Sequence, residues 1–128
     1  MTEKALYNAA ADLIDRNLTA GRGDKVAFID TNGSYTYNEL SERVNKVAKA
    51  LTIRGVQPKQ RVILCMLDTI DLVTAFLGAI KAGIIPIPIN TRLTEDDYAY
   101  IIEDSSAAGL LLSDTLLPAF EKNIQSWA

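Results

Sequence analysis

Apolar residues change their period along this chain, and each change marks an element. From Leu6 to Leu18 they recur at helical spacing, with Ala9, Ala10, Leu13 and Ile14 on one face. Gly21-Arg22-Gly23-Asp24 breaks that pattern. Two glycines beside an arginine resemble a phosphate loop, but no strand precedes them and no helix follows at once, so a plain connection is favoured. Lys25 to Asp30 reads as a strand, and Asn32-Gly33 signals a two-residue hairpin that places Tyr35 on the returning strand. Thr36 and Glu39 then form a capping box, with Tyr35 and Leu40 in the positions of a hydrophobic staple. Leu40, Val44, Val47, Ala48 and Leu51 mark one face of the helix that follows, and Gly55 ends it.

Beyond Pro58, Arg61 to Met66 reads as a buried strand. The spacing predicts a helix over Ile70 to Ala82 that is apolar on most sides (Leu72, Val73, Phe76, Leu77, Ile80), as expected if it packs on a sheet and on a second layer. Gly83 stops it, and a strand over Ile84 to Ile89 begins. Pro86 and Pro88 are two apart, so their missing N–H groups face the same neighbour. That predicts an edge strand, or one whose proline side meets a loop or a partner chain. Thr94 and Asp97 form a second capping box, with Leu93 placed to staple onto Tyr98. Ala108 to Leu112 reads as a further core strand, and a last helix is expected from Ser113 or Thr115 towards Trp127.

After the hairpin, strands and helices alternate. This predicts an α/β fold: a layered, mostly parallel sheet with right-handed helical crossovers and an N-terminal β-hairpin. No repeat, low-complexity tract or linker divides residues 1–128, which read as a single unit. At 128 residues the chain is long enough to bury a core without disulfide or metal support.

Composition narrows the chemistry. A net charge of −3 argues against a phosphate-backbone partner, so no nucleic acid is expected. There is no histidine, which removes Ser-His-Asp and Cys-His catalysis and any imidazole metal site. Cys65 is the only cysteine and falls in the buried strand, where a small core residue is the expected role. Glu95, Asp96 and Asp97 crowd a helix start, where negative charge suits the helix dipole, rather than forming a metal site. The apolar run from Leu72 to Ile89 approaches a membrane span in length, but Lys81, Gly83, Pro86 and Pro88 interrupt it. The N-terminus has no apolar core of the secretory kind, and a cytoplasmic location is expected.

Two segments carry a family resemblance. Tyr35-Thr36-Tyr37-Asn38-Glu39-Leu40 is similar to an early motif of the adenylate-forming ligases, and Ile80-Lys81-Ala82-Gly83-Ile84-Ile85-Pro86-Ile87-Pro88-Ile89-Asn90 resembles their second motif at the expected distance. Ala20 to Asp30, and Leu67 through Asp71 onward to Tyr100, look most like benzoate- and hydroxybenzoate-CoA ligases. The resemblance covers nearly the whole chain. It implies the N-terminal portion of the large domain of an acyl- or aryl-CoA ligase. The full-length enzyme would use Mg-ATP to form an acyl-adenylate and then pass the acyl group to coenzyme A.

In that family the chemistry uses a Ser/Thr/Gly-rich loop with a lysine, a ribose-binding aspartate and a mobile C-terminal lysine, which together stabilise charge at the α-phosphate. None of these motifs occurs here. Thr31-Asn32-Gly33-Ser34 is the nearest imitation; it lacks the lysine and closes a hairpin. No catalytic, cofactor-binding or metal-ligating residue is therefore assigned, and no cofactor is expected on this chain. The expected role is architectural and the chain alone is expected to be inactive, with the remainder of the ligase or a second copy as partner in a homo-oligomer. The alternative is a free-standing interaction module derived from such a ligase.

Overall fold

The computed structural model describes residues 7–121. Helix α1 (Ala9–Thr19) is followed by strands β1 (Val26–Asp30) and β2 (Gly33–Thr36), helix α2 (Tyr37–Ile53) and strand β3 (Arg61–Cys65). Helix α3 (Ile70–Lys81), strand β4 (Ile85–Pro88), helix α4 (Glu95–Ser105) and strand β5 (Gly109–Leu112) complete the alternation. The last helix expected from the sequence is instead a 3-10 helix over Asp114–Ala119, with Pro118 inside it. A proline has no N–H to donate and crowds the preceding turn, which opposes a regular α-helix there. The stretch expected to continue towards Trp127, and the expected start of α1 at Leu6, lie outside the described residues.

Strands β1 and β2 form an antiparallel pair of their own, while the other three make a parallel sheet in the order β4-β3-β5. The α/β class, parallel sheet and helical crossovers follow the pattern read from the sequence. The central strand β3 has Val62, Ile63, Leu64 and Cys65 fully buried. Its side chains serve both sheet faces, as alternation requires. Val62 and Leu64 pack with Leu51, Ala75, Ala79 and Ile84 under α2 and α3, and Cys65 packs with Tyr98 and Phe120 on the opposite side. A further cluster of Ala10, Ile14, Leu40, Val44, Ile70 and Leu77 joins α1 to the outer sides of α2 and α3. The apolar character of α3 follows from this position between two clusters.

Strand β5 is half-buried along its length and lies at an edge, not in the core as expected. Among the described residues it pairs with β3 alone. Strand β4 holds the other edge, in agreement with the proline argument. The Ile85 and Ile89 N–H groups donate to Gln60 and Leu64 on the β3 side, so Pro86 and Pro88 turn their nitrogens outward.

Local chemistry sets the element ends. Thr36 accepts from Glu39 N–H at 3.2 Å while Glu39 accepts from Thr36 N–H at 3.1 Å, and Thr94 with Asp97 repeats the arrangement at α4. Helices α1, α2 and α3 stop alike. In each the following glycine (Gly21, Gly55, Gly83) has positive φ, and the next residue donates back over the turn: Arg22 to Asn17, Val56 to Leu51, Ile84 to Ala79. The hairpin closes one residue earlier than expected. Asp30 pairs with Gly33, so Thr31 and Asn32 make the turn. Among described non-glycine residues only Lys59 and Ser106 have positive φ, so this is not the mirror-image turn that Asn-Gly favours. The Asp30 carboxylate shapes it instead.

Candidate functional site

In an open parallel sheet, ligands bind outside the carboxyl ends of the strands, where neighbouring strands send their chains to opposite faces. Here that place lies between β3 and β4. The chain leaving β3 enters α3 on one face, and the chain leaving β4 enters α4 on the other. A crevice of 420 Å³ opens there, lined by Met66, Leu67, Asp68, Pro88, Asn90 and Thr91 among others.

Several polar groups in and around this crevice are committed to the fold. The Tyr98 hydroxyl donates to the Asn90 carbonyl at 3.0 Å and accepts from Leu93 N–H at 3.2 Å. Asn90 Oδ1 accepts from Arg92 N–H at 2.7 Å, and Leu67 N–H donates to Ser113 Oγ at 2.9 Å. Asp68 is the one charged side chain in the lining, and no cation lines the crevice with it. Phosphate would meet a carboxylate and no compensating cation, so the crevice does not suit a nucleotide's triphosphate.

Cys65 lies beneath the crevice, fully buried, with its thiol towards the Asn90 carbonyl at 3.9 Å. Burial pushes its pKa up, the reverse of what a nucleophilic thiol needs. The core role read from the sequence fits this setting.

The loops that could be mistaken for phosphate cradles use leading amides within the fold. In the Gly21–Asp24 connection, Gly21 and Arg22 N–H groups donate to Leu18 and Asn17 and close α1. In the hairpin turn, Asn32 and Gly33 N–H groups donate to Asp30 Oδ1 at 2.8 and 3.1 Å. An internal carboxylate thus occupies the place an anion would take. The helix N-termini are served in the same way: Asn8 caps α1, Thr36 caps α2, Thr69 caps α3 and Thr94 caps α4. Asp30 Oδ2 adds a second acceptor at α3, taking the Ile70 N–H at 2.9 Å. A free helix N-terminus attracts anions through its unsatisfied N–H groups. Here the chain's own oxygens satisfy the leading ones.

Glu95, Asp96 and Asp97 lie in the first turn of α4, as read, and Asp97 belongs to the capping box. Among the described residues no cluster of three acidic, cysteine or histidine side chains could hold a metal ion. No described helix is long and apolar enough to cross a membrane.

Two further hollows flank α3. A groove of 420 Å³ between α2, α3 and β5 has an apolar floor including Val47, Leu51 and Leu111, with Arg43, Lys46 and Arg54 at its border. On the other flank of α3, a hollow of 310 Å³ is lined entirely by apolar side chains, including Leu13, Phe28, Leu72, Val73, Phe76 and Pro88. Phe28 and Phe76 are each 37% exposed. Sequence reasoning foresaw an apolar exterior on α3. It did not foresee that β1 and β4 would each add a residue to it.

Residues 15–126 match the family described as AMP-binding enzyme. The chain is 59% identical over 115 residues to a benzoate–CoA ligase of Thauera aromatica, covering 89% of this chain and 22% of that one. It is 46% identical over 116 residues to a 4-hydroxybenzoate–CoA/benzoate–CoA ligase of Rhodopseudomonas palustris, covering 91% of this chain and again 22% of the relative. The crystal structure of a benzoate CoA ligase from Burkholderia xenovorans superposes with a TM-score of 0.89 at 44% identity, over 94% of this chain and 24% of that chain. This chain thus spans about a fifth of the length of the curated relatives it matches. It belongs to the AMP-binding enzyme family and has the fold of the N-terminal domain of the adenylate-forming ligases.

Proposed function

We propose that this chain is the N-terminal architectural portion of an ATP-dependent aryl-acid–CoA ligase. In full length such an enzyme makes an acyl-adenylate and then an acyl-CoA thioester. One observation carries this reading: 59% identity to a benzoate–CoA ligase in a chain that corresponds to 22% of that ligase. The site chemistry supports it. Cys65 is buried, helix N-termini are capped internally, and the crevice at the sheet's carboxyl edge offers no cation to a phosphate. In this reading the two motif segments are structural. Thr36 and Glu39 start α2, and Gly83 turns the chain from α3 into β4.

The 128-residue chain alone is expected to show no pyrophosphate exchange with ATP, magnesium and a panel of aryl and aliphatic acids. Substituted for the matching segment of the Thauera aromatica ligase, it is expected to support benzoyl-CoA formation. Turnover by the isolated chain above a heat-killed control, or a folded but inactive chimera, would overturn the reading. The exposed apolar hollow beside α3 favours a second reading, in which the chain works as an interaction module for a protein partner. A chimera that works with the surface of that hollow made polar would count against it.

A further inference from the structure

Among the described residues, strands β1 and β2 pair only with each other, and a two-stranded sheet is marginal in water unless something holds it. One side chain ties its turn to the helical layer. Asp30 Oδ1 accepts from Asn32 and Gly33 N–H groups in the turn, and Oδ2 accepts from Ile70 N–H, the first residue of α3 and forty positions away. Thr69, the neighbouring N-cap, accepts from Asp71 N–H, so it leaves the Ile70 N–H to Asp30. Asp30 is thus a helix cap supplied from another element.

We propose that Asp30 is a proton-released clasp: ionised, its carboxylate holds the hairpin turn against the start of α3, and protonation releases the turn from α3 while Ala27 and Tyr35 keep the strands packed on the helical layer. The ionised group is an acceptor only, with two oxygens to serve three N–H donors. A proton on either oxygen turns an acceptor into a donor facing an N–H. Arg43 of α2 is the cation that bears on Asp30, lying over the Tyr35 ring of β2 at 4.8 Å and within 3.7 Å of the Asp71 carboxylate of α3. That second tie runs alongside the clasp. It lacks the clasp's direct hydrogen bonds.

The Ile70 N–H, helped by the Asn32 and Gly33 N–H groups and by Arg43, holds the Asp30 pKa below its ordinary value. A carboxylate whose folded pKa is depressed stabilises the fold fully above its unfolded pKa. It loses that contribution as pH falls through the folded value. The release window therefore lies below about pH 4.

The test is an NMR titration of the intact 128-residue chain between pH 7 and 2. The Asn32, Gly33 and Ile70 amide resonances are expected to move with the Asp30 carboxyl carbon and to share one midpoint below about pH 4. An Ile70 amide that ignores the Asp30 titration, or a midpoint at the ordinary value, would overturn the proposal. Asp30→Asn imitates the protonated acid. It is expected to lower the thermal midpoint at pH 7 by about 3 °C or more, with the gap to wild type closing below about pH 4. A gap that stays constant across pH would show a packing defect instead of a clasp. Asp71→Asn is the control and should leave the Ile70 titration in place. Because the titration uses the unaltered chain, failure of a variant to fold leaves it decisive.

Discussion

A few side chains set where this chain turns, and their effects can be predicted singly. Thr36 both ends β2 and caps α2, and its hydroxyl is matched by the Glu39 carboxylate reaching back. Thr36→Ala is expected to cost about 1 kcal/mol, read as a lower thermal or urea midpoint at unchanged slope. Gly83 works through its backbone. Its φ of +78° is one that residues bearing a Cβ avoid, and Pro58 Cβ stands 3.4 Å from where that Cβ would be. Gly83→Val should therefore exceed the Thr36→Ala loss, at about 2 kcal/mol. An unchanged midpoint for either variant would show that the helix end in question is not held by the group named.

At the scale of elements, the central contact is α2 on α3. The helices approach closely because Gly78 presents no side chain: an added Cβ would stand 2.6 Å from Val47 Cγ1 and 3.2 Å from the Val44 carbonyl oxygen. Gly78→Ala is expected to destabilise by about 1–3 kcal/mol through overpacking, despite alanine's better helix propensity. Val47→Ala should return part of that loss in the double variant, giving a measurable coupling energy. Additive losses would show that the two helices can move apart without cost. The edge strands behave differently from one another. Outward prolines disable two positions of β4 as hydrogen-bond donors, whereas β5 carries no proline.

For the whole molecule, the question is what covers the apolar flank of α3. Leu13, Phe28 and Phe76 come from three elements and stand partly open to water on one continuous surface. Apolar patches of this kind drive association in isolated chains. The 128-residue chain is expected to form homo-oligomers, seen as a rising scattering mass across a dilution series. Phe76→Glu should shift the series towards monomer while leaving the thermal midpoint nearly unchanged, because this side chain sits outside the buried clusters. A compact monomer at high concentration would refute the expectation.

The sequence by itself determined the local events. Capping boxes, helix-ending glycines and the change of period from 3.6 to 2 depend on neighbours within a few residues, so the α/β alternation and most element ends were legible in it. Two prolines at alternate positions even told which kind of strand β4 would be. The tertiary structure decided what depends on residues far apart. It put β5 at an edge, because an apolar run of four residues fits a half-buried strand as well as a central one. The hairpin turn on Thr31 and Asn32 was a local event too, set by the Asp30 carboxylate two and three residues back, which outweighed the usual preference of Asn-Gly. Gly78 lay unmarked within a helix until Val47 came against it, and the second arm of Asp30 had no visible partner until α3 folded against the hairpin. Periodicity reports which face of an element is apolar. Only packing reports which other element, or which single N–H group, that face will meet.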